Sequence, residues 1–157
     1  LNNIYSIFIA DSNVALLEGL VSIISQEPAF EVAGTACSKA GLSMKASAPV
    51  PDLLLLDIDL TDSIDRGLPE NLTGLMKAPK IILLTSHWEN SLIKRILASG
   101  VMGCLKKSCD SAELIYAMNR VLEGHLYFSG YHHEGNDGRK RENTCKSMEI
   151  SEEELIN

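Results

Sequence analysis

Apolar residues in this chain gather into five short runs, separated by stretches of helical periodicity. The first run covers residues 4–10. It precedes a segment over about 14–26 in which Leu16, Leu20, Ile23 and Ile24 recur at i, i+4, i+7 and i+8, one face of a helix. After Pro28, residues 31–36 read as a second strand. Ser38 is placed to cap a helix running to about Ser47, which Pro49 and Pro51 end. Leu53-Leu54-Leu55-Leu56 and Ile81-Ile82-Leu83-Leu84 carry no polar alternation, as expected of parallel strands covered on both faces. The intervening residues 61–78 are weakly patterned and predict only a shortened helix over about 70–76. A helix over 89–99 carries Leu92, Ile93, Ile96 and Leu97 and stops at Gly100. A short fifth strand follows at 103–106. The last helix, over about 111–123, opens on Asp110 and Glu113 in capping-box spacing and buries Leu114, Ala117, Met118, Val121 and Leu122.

Five β-α units in succession predict a doubly wound α/β domain with a flavodoxin-like, five-stranded parallel sheet in order 2-1-3-4-5. Right-handed crossovers place the first and fifth helices on one face and the second, third and fourth on the other. The pattern collapses after Phe128. Residues 130–148 are polar and charged and read as a linker, and 150–157 are acidic and read as the opening of another helix. The expected organisation is one domain over 1–128 and a linker or tail over 129–157.

The net charge of −7 argues against direct nucleic-acid binding by this chain, and Arg139-Lys140-Arg141 reads as a solvated stretch of linker. No apolar run approaches the roughly 20 residues that span a bilayer. The first residues lack the basic flank of a signal peptide, and without an initiator Met the chain is expected to be a trimmed portion of a longer protein. Cys37, Cys104, Cys109 and Cys145 form no C-x-x-C pair and read as reduced thiols, which together with the absence of a signal peptide predicts a cytoplasmic location. His132-His133 reads as a polar pair in the tail rather than as a metal site.

In open parallel sheets, ligands sit beyond the carboxyl ends of the strands. Those ends here are Asp11-Ser12, then Asp57 followed by Ile58-Asp59, then Thr85-Ser86, then Lys106-Lys107-Ser108. Carboxylates at short range raise each other's pKa unless a cation joins them. Oxygen ligands suit Mg²⁺, and a lysine opposite them offers a point charge to a phosphoryl group. Each residue alone is also an ordinary turn or cap residue; the weight lies in four strand ends of matching chemistry. Together they suit acceptance of a phosphoryl group on a carboxylate.

The blocks Ile9-Ala10-Asp11-Ser12, Leu55-Leu56-Asp57-Ile58, Leu83-Leu84-Thr85-Ser86 and Leu105-Lys106-Lys107-Ser108 resemble, over residues 4–128, the receiver domain of two-component response regulators. Leu17-Glu18-Gly19-Leu20, His87 and the string Glu123-Gly124-His125-Leu126-Tyr127, expected to close the last helix, resemble its LuxR-type transcriptional subgroup. The resemblance implies that Asp57 is the phosphoacceptor, that Asp11 belongs to the acidic pocket, and that Thr85 and Lys107 contact the phosphoryl oxygens. It implies Mg²⁺ held by Asp11, Asp57 and the backbone carbonyl of Asp59, with Ser12 a weak ligand. Asp59 and His87 occupy positions that resemble the family's tuners of dephosphorylation. The implied phosphoryl donor is a sensor histidine kinase. The implied output is a helix-turn-helix DNA-binding domain absent from this chain, or a homodimer partner, and no turnover enzyme is implied.

Three positions depart from the family pattern. Ser12 stands for a second Asp, which weakens metal binding; Cys104 stands for an aromatic residue; and Leu60-Thr61-Asp62 replaces a Met-Pro-Gly-like turn. If the chain stays extended after Asp57, the Asp59 side chain shares its face and returns a carboxylate to the pocket. The alternative reading is a degenerate pseudo-receiver, a phosphorylation-independent interaction module. A third, a flavin or nucleotide carrier, needs a phosphate-cradling loop where this chain has only Asp11-Ser12-Asn13.

Overall fold

The computed structural model describes residues 3–45, 49–61, 79–130 and 148–150. In chain order these form β1 (Tyr5–Ala10), α1 (Val14–Ser25), β2 (Phe30–Ala36), α2 (Lys39–Lys45), β3 (Leu53–Asp57) and a 3₁₀ turn (Ile58–Leu60). Then follow β4 (Lys80–Thr85), α3 (Asn90–Ala98), β5 (Gly103–Lys106), α4 (Ser111–Leu122), β6 (Leu126–Phe128) and β7 (Met148–Ile150). The helix expected over 70–76 and most of the expected linker, with His132, His133 and the basic triplet, lie outside the described residues.

The strands make one sheet in the order β2-β1-β3-β4-β5-β6-β7. The expected 2-1-3-4-5 order is its core, and every pair from β2 to β6 is parallel. Leucines of β3 alternate between two fully covered faces. Leu53 and Leu55 meet α1 and α4, whereas Leu54 and Leu56 meet α2 and α3. The described helices therefore divide between the faces as the crossover rule requires.

The expectation of five strands is corrected to a larger sheet. Leu126 and Tyr127, expected to close the last helix, form with Phe128 a sixth parallel strand. Gly124, at φ 96°, takes the left-handed conformation that ends α4 and turns the chain back. The turn is held by the Gly124 N–H on the Val121 carbonyl and the His125 N–H on the Arg120 carbonyl. The chain then drops Tyr127 into the α1/α4 face and Phe128 into the other, both fully buried. Met148, expected in the linker, and Ile150, expected to open a helix, are strand residues paired antiparallel with Phe128 and Leu126.

Three helix starts are capped by side chains, two of them, Ser38 and Asp110, as expected from the sequence. Asn13 accepts the Leu16 N–H at 3.1 Å, Ser38 the Gly41 N–H at 3.1 Å and Asp110 the Glu113 N–H at 2.8 Å. The Glu113 carboxylate does not turn back to complete a capping box. It accepts from the Tyr127 hydroxyl at 3.0 Å and the Ser129 hydroxyl at 2.6 Å, tying β6 to the start of α4.

Gly103 is the tightest point of the β5–β6 seam. A β-carbon there would stand 3.0 Å from the Tyr127 carbonyl oxygen and 3.1 Å from Ile82 Cγ1. Backbone cannot retreat as a flexible side chain does, so Gly103→Ala should destabilise the chain by about 1–3 kcal/mol. The urea midpoint checks this; an unchanged midpoint would mean that the seam has slack.

Candidate functional site

Four strand ends converge at one edge of the sheet. Asp11 directly follows β1, Asp57 closes β3, Thr85 closes β4 and Lys107 directly follows β5. Asp11 and Asp57 are 0 % exposed and Thr85 is 1 % exposed. The ladder itself sets their height: the Lys107 N–H bonds the Thr85 carbonyl at 2.8 Å, and the Asp11 N–H bonds the Ala36 carbonyl at 3.0 Å. Apolar strands thus carry two carboxylates into a dry setting, where an unpaired charge is strongly disfavoured.

Lys107 is their counter-charge. Its Nζ lies 2.9 Å from Asp57 Oδ1 and 3.1 Å from Asp11 Oδ2, and it donates to Asp11 Oδ1 at 3.2 Å. Asp57 Oδ1 also accepts the Asp59 N–H at 3.1 Å. Asp57 Oδ2 accepts two donors from one residue, the Ser12 N–H at 3.1 Å and the Ser12 hydroxyl at 2.7 Å. Asp11 Oδ1 takes the Asn13 N–H at 2.8 Å, whereas its Oδ2 accepts no hydrogen bond and is met only by the Lys107 ion pair.

Burial pushes the Asp57 carboxyl up, but the Ser12 hydroxyl, the Lys107 ammonium and the Ser12 and Asp59 N–H groups outweigh it. The group is held below its ordinary value of 3.8. Burial pushes the Lys107 ammonium down, and its contacts with Asp57 and Asp11 reverse this and hold it above its ordinary 10.5. Asp57 therefore adds stability in full above pH 3.8 and loses it as pH falls through its depressed native value. Lys107 adds stability in full below pH 10.5 and loses it as pH rises through its raised value. Urea midpoints across pH should show both losses, with the acid-side loss smaller in Asp57→Asn; an equal acid-side loss in that variant would remove Asp57 from the account.

Other sequence-predicted residues sit differently from expectation. After Asp57 the chain turns into the 3₁₀ segment instead of staying extended, so the shared face expected for Asp59 is not formed. Asp59 is exposed, and its main-chain N–H, not its carboxylate, meets Asp57. Ser12, expected as a weak metal ligand, is a hydrogen-bond donor to Asp57. The Thr85 hydroxyl donates to the His87 carbonyl at 2.7 Å and accepts the His87 N–H at 3.1 Å, which folds it into the β4–α3 loop. Cys104 is fully buried beside Phe128, and burial pushes its thiol up to about 12, so it stays protonated at neutral pH. Sequence reasoning missed that Lys106 Nζ lies 5.3 Å from the centre of the Trp88 ring. No local pattern announces that contact, because it joins the β4–α3 loop to the last residue of β5, 18 positions further along the chain.

Among the described residues, no three of His, Cys, Asp or Glu gather in a metal-binding group. The site offers two buried carboxylates, Asp11 and Asp57, instead. That donor set fits Mg²⁺, which takes one or two protein carboxylates and keeps several waters. The buried Asp11 Oδ2 accepts no hydrogen bond and has only the Lys107 ammonium beside it, which leaves it room for a second cation contact.

The family model for the response regulator receiver domain matches residues 7–119. The DNA-binding transcriptional activator DevR/DosR of Mycobacterium tuberculosis is 27 % identical over 118 residues, covering 75 % of this chain and 54 % of that protein. The chain spans about half the length of the curated relatives it matches. In structure it resembles the signal receiver domain of NarL from Mycobacterium tuberculosis, with TM-score 0.68 and 21 % identity over 78 % of this chain and 98 % of that one. It also resembles the CheX–CheY–BeF3–Mg²⁺ complex of Borrelia burgdorferi, with TM-score 0.63 and 21 % identity over 74 % of this chain and 88 % of that one.

Proposed function

We propose that this chain, which belongs to the response regulator receiver domain family, is a phosphorylation-driven switch whose acceptor is Asp57. The observation that carries the reading is a fully buried carboxylate, kept anionic by donors from three other segments, at the carboxyl end of β3. Low pKa and fixed orientation are what a carboxylate nucleophile needs. Its oxygen attacks the phosphorus of a phosphohistidine on a sensor histidine kinase. The nitrogen–phosphorus bond breaks, its electron pair stays on the imidazole, and an acyl phosphate forms on Asp57. Lys107, already 2.9 Å from Asp57 Oδ1, neutralises the incoming phosphoryl oxygens. Asp11, Asp57 and the Asp59 carbonyl would hold Mg²⁺, which supplies further charge neutralisation when bound.

The Thr85 hydroxyl gives up His87 to contact the new phosphoryl group, and the β4–α3 loop rearranges with it. The signal then passes to a homodimer partner or to a helix-turn-helix output domain beyond residues 129–157. The chain itself, at net charge −7, does not grip DNA. No described helix is long and apolar enough to cross a membrane, and a cytoplasmic setting suits a partner kinase. The test is incubation with acetyl phosphate and Mg²⁺, read by intact-mass and peptide mass spectrometry. Gain of one phosphoryl group on Asp57 is expected. No uptake would favour the phosphorylation-independent module, the reading favoured by a pocket with two carboxylates and a Thr85 tied to its own loop.

A further inference from the structure

We infer that Ser12 is a positioning residue that competes with a divalent cation for Asp57 Oδ2, rather than a ligand of that cation. The inference rests on the acceptor reading of Asp57 and specifies how this chain's own pocket regulates its metal. A carboxylate oxygen offers two lone-pair directions. At Asp57 Oδ2 both are taken by Ser12, through its N–H at 3.1 Å and its hydroxyl at 2.7 Å. The ammonium of Lys107 approaches the other oxygen, Oδ1, at 2.9 Å. Oδ2 is thus the oxygen of Asp57 with an anionic face turned away from Lys107, and Ser12 covers it.

A hydroxyl that donates to a carboxylate points its hydrogen at the oxygen a metal would use. The hydrogen and the cation seek the same electron density and repel each other. One Ser12 donor must therefore leave before a cation reaches Oδ2. The N–H is fixed by backbone, since Ser12 lies between Asp11, bonded to the β2 end, and the Asn13 cap of α1. The hydroxyl is the mobile donor: Ser12 is exposed, so rotation about χ1 delivers it to water. The pocket holds its acceptor ready without metal, and metal entry requires a hydrogen bond to break.

This reverses the sign expected of a ligand. Removing a weak ligand lowers affinity, whereas removing a competitor raises it. Ser12→Ala should bind Mg²⁺ about fivefold more tightly than the parent chain, the equivalent of one ordinary hydrogen bond. Ser12→Thr, which keeps the hydroxyl, should stay near the parent. Affinity is read by amide chemical-shift titration of the full chain, which also verifies the fold of each variant. A metal-free readout accompanies it: without Mg²⁺, Ser12→Ala melts below the parent, and saturating Mg²⁺ raises its Tm by more than it raises the parent's. Equal or weaker Mg²⁺ binding by Ser12→Ala, or absence of binding by both proteins, overturns the inference. The acceptor reading is judged separately by phosphoryl uptake from acetyl phosphate. A chain that follows the Mg²⁺ pattern but takes up no phosphoryl group keeps the Ser12 competition and loses the acceptor.

Discussion

Asp57→Asn is expected to take up no phosphoryl group from acetyl phosphate under conditions that should label the parent chain. An amide has no carboxylate oxygen to form an acyl phosphate, so the expected loss is complete rather than graded. The fold persists with reduced stability. Both oxygens of Asp57 accept from two donors, Oδ1 from Lys107 and the Asp59 N–H, and Oδ2 from the two Ser12 groups. Whichever way the amide turns, its NH₂ faces donors, at about 1–3 kcal/mol for the bonds left unmade. Intact-mass measurement decides the chemistry and urea unfolding the stability. A stable phosphoryl group on the variant would move the acceptor to another residue.

The second large effect is on stability. Lys107→Ala leaves Asp11 and Asp57 buried with no cation between them. Removing one partner of a buried ion pair is far more damaging than replacing the pair, because the remaining charge stays dry and unpaired. The Lys107 side chain keeps 14 % of its exposure, so solvent offsets some of the loss, and about 3 kcal/mol is expected, the lower end of the buried range. The same geometry makes Lys107 a neighbour of the proposed cation site, its ammonium on the two carboxylates assigned to it. Mg²⁺ should therefore restore part of the lost stability in Lys107→Ala. Urea midpoints with and without Mg²⁺ check both points; a variant as stable as the parent in metal-free buffer would mean that the two carboxylates need no counter-charge.

The arrangement of the site was legible because topology did the work. A run such as Leu53-Leu54-Leu55-Leu56 admits no solvent-facing side, which calls for a sheet covered on both faces, and a parallel sheet sends all its carboxyl ends to one edge. Asp11, Asp57 and Lys107 then meet with no further information, and Thr85 closes β4 at the same edge with its hydroxyl turned to His87. What the sequence withheld was atomic. A serine after Asp11 looks like a neutral substitute for a metal ligand, but whether its hydroxyl donates or accepts depends on which oxygen Asp57 turns towards it. Asp59 has the spacing of a face-sharing pair only if the backbone stays extended, and the 3₁₀ turn at residues 58–60 removes that condition. β6 was hidden for another reason. Three residues beyond a helix carry too little periodicity to signal a strand, and their pairing with β5 depends on the left-handed turn at Gly124 and on room made by Gly103.

Trp88 is the only tryptophan in the chain, and its ring faces the Lys106 ammonium three residues beyond Thr85. Indole emission responds to a nearby positive charge, so all tryptophan fluorescence of this protein comes from one loop and one cation–π contact. Because Thr85 holds that loop through two hydrogen bonds to His87, any event that draws the threonine inward also moves the chromophore relative to its ion. Tryptophan emission therefore offers a direct test of whether pocket and loop move together, with no label to attach and no second indole to subtract.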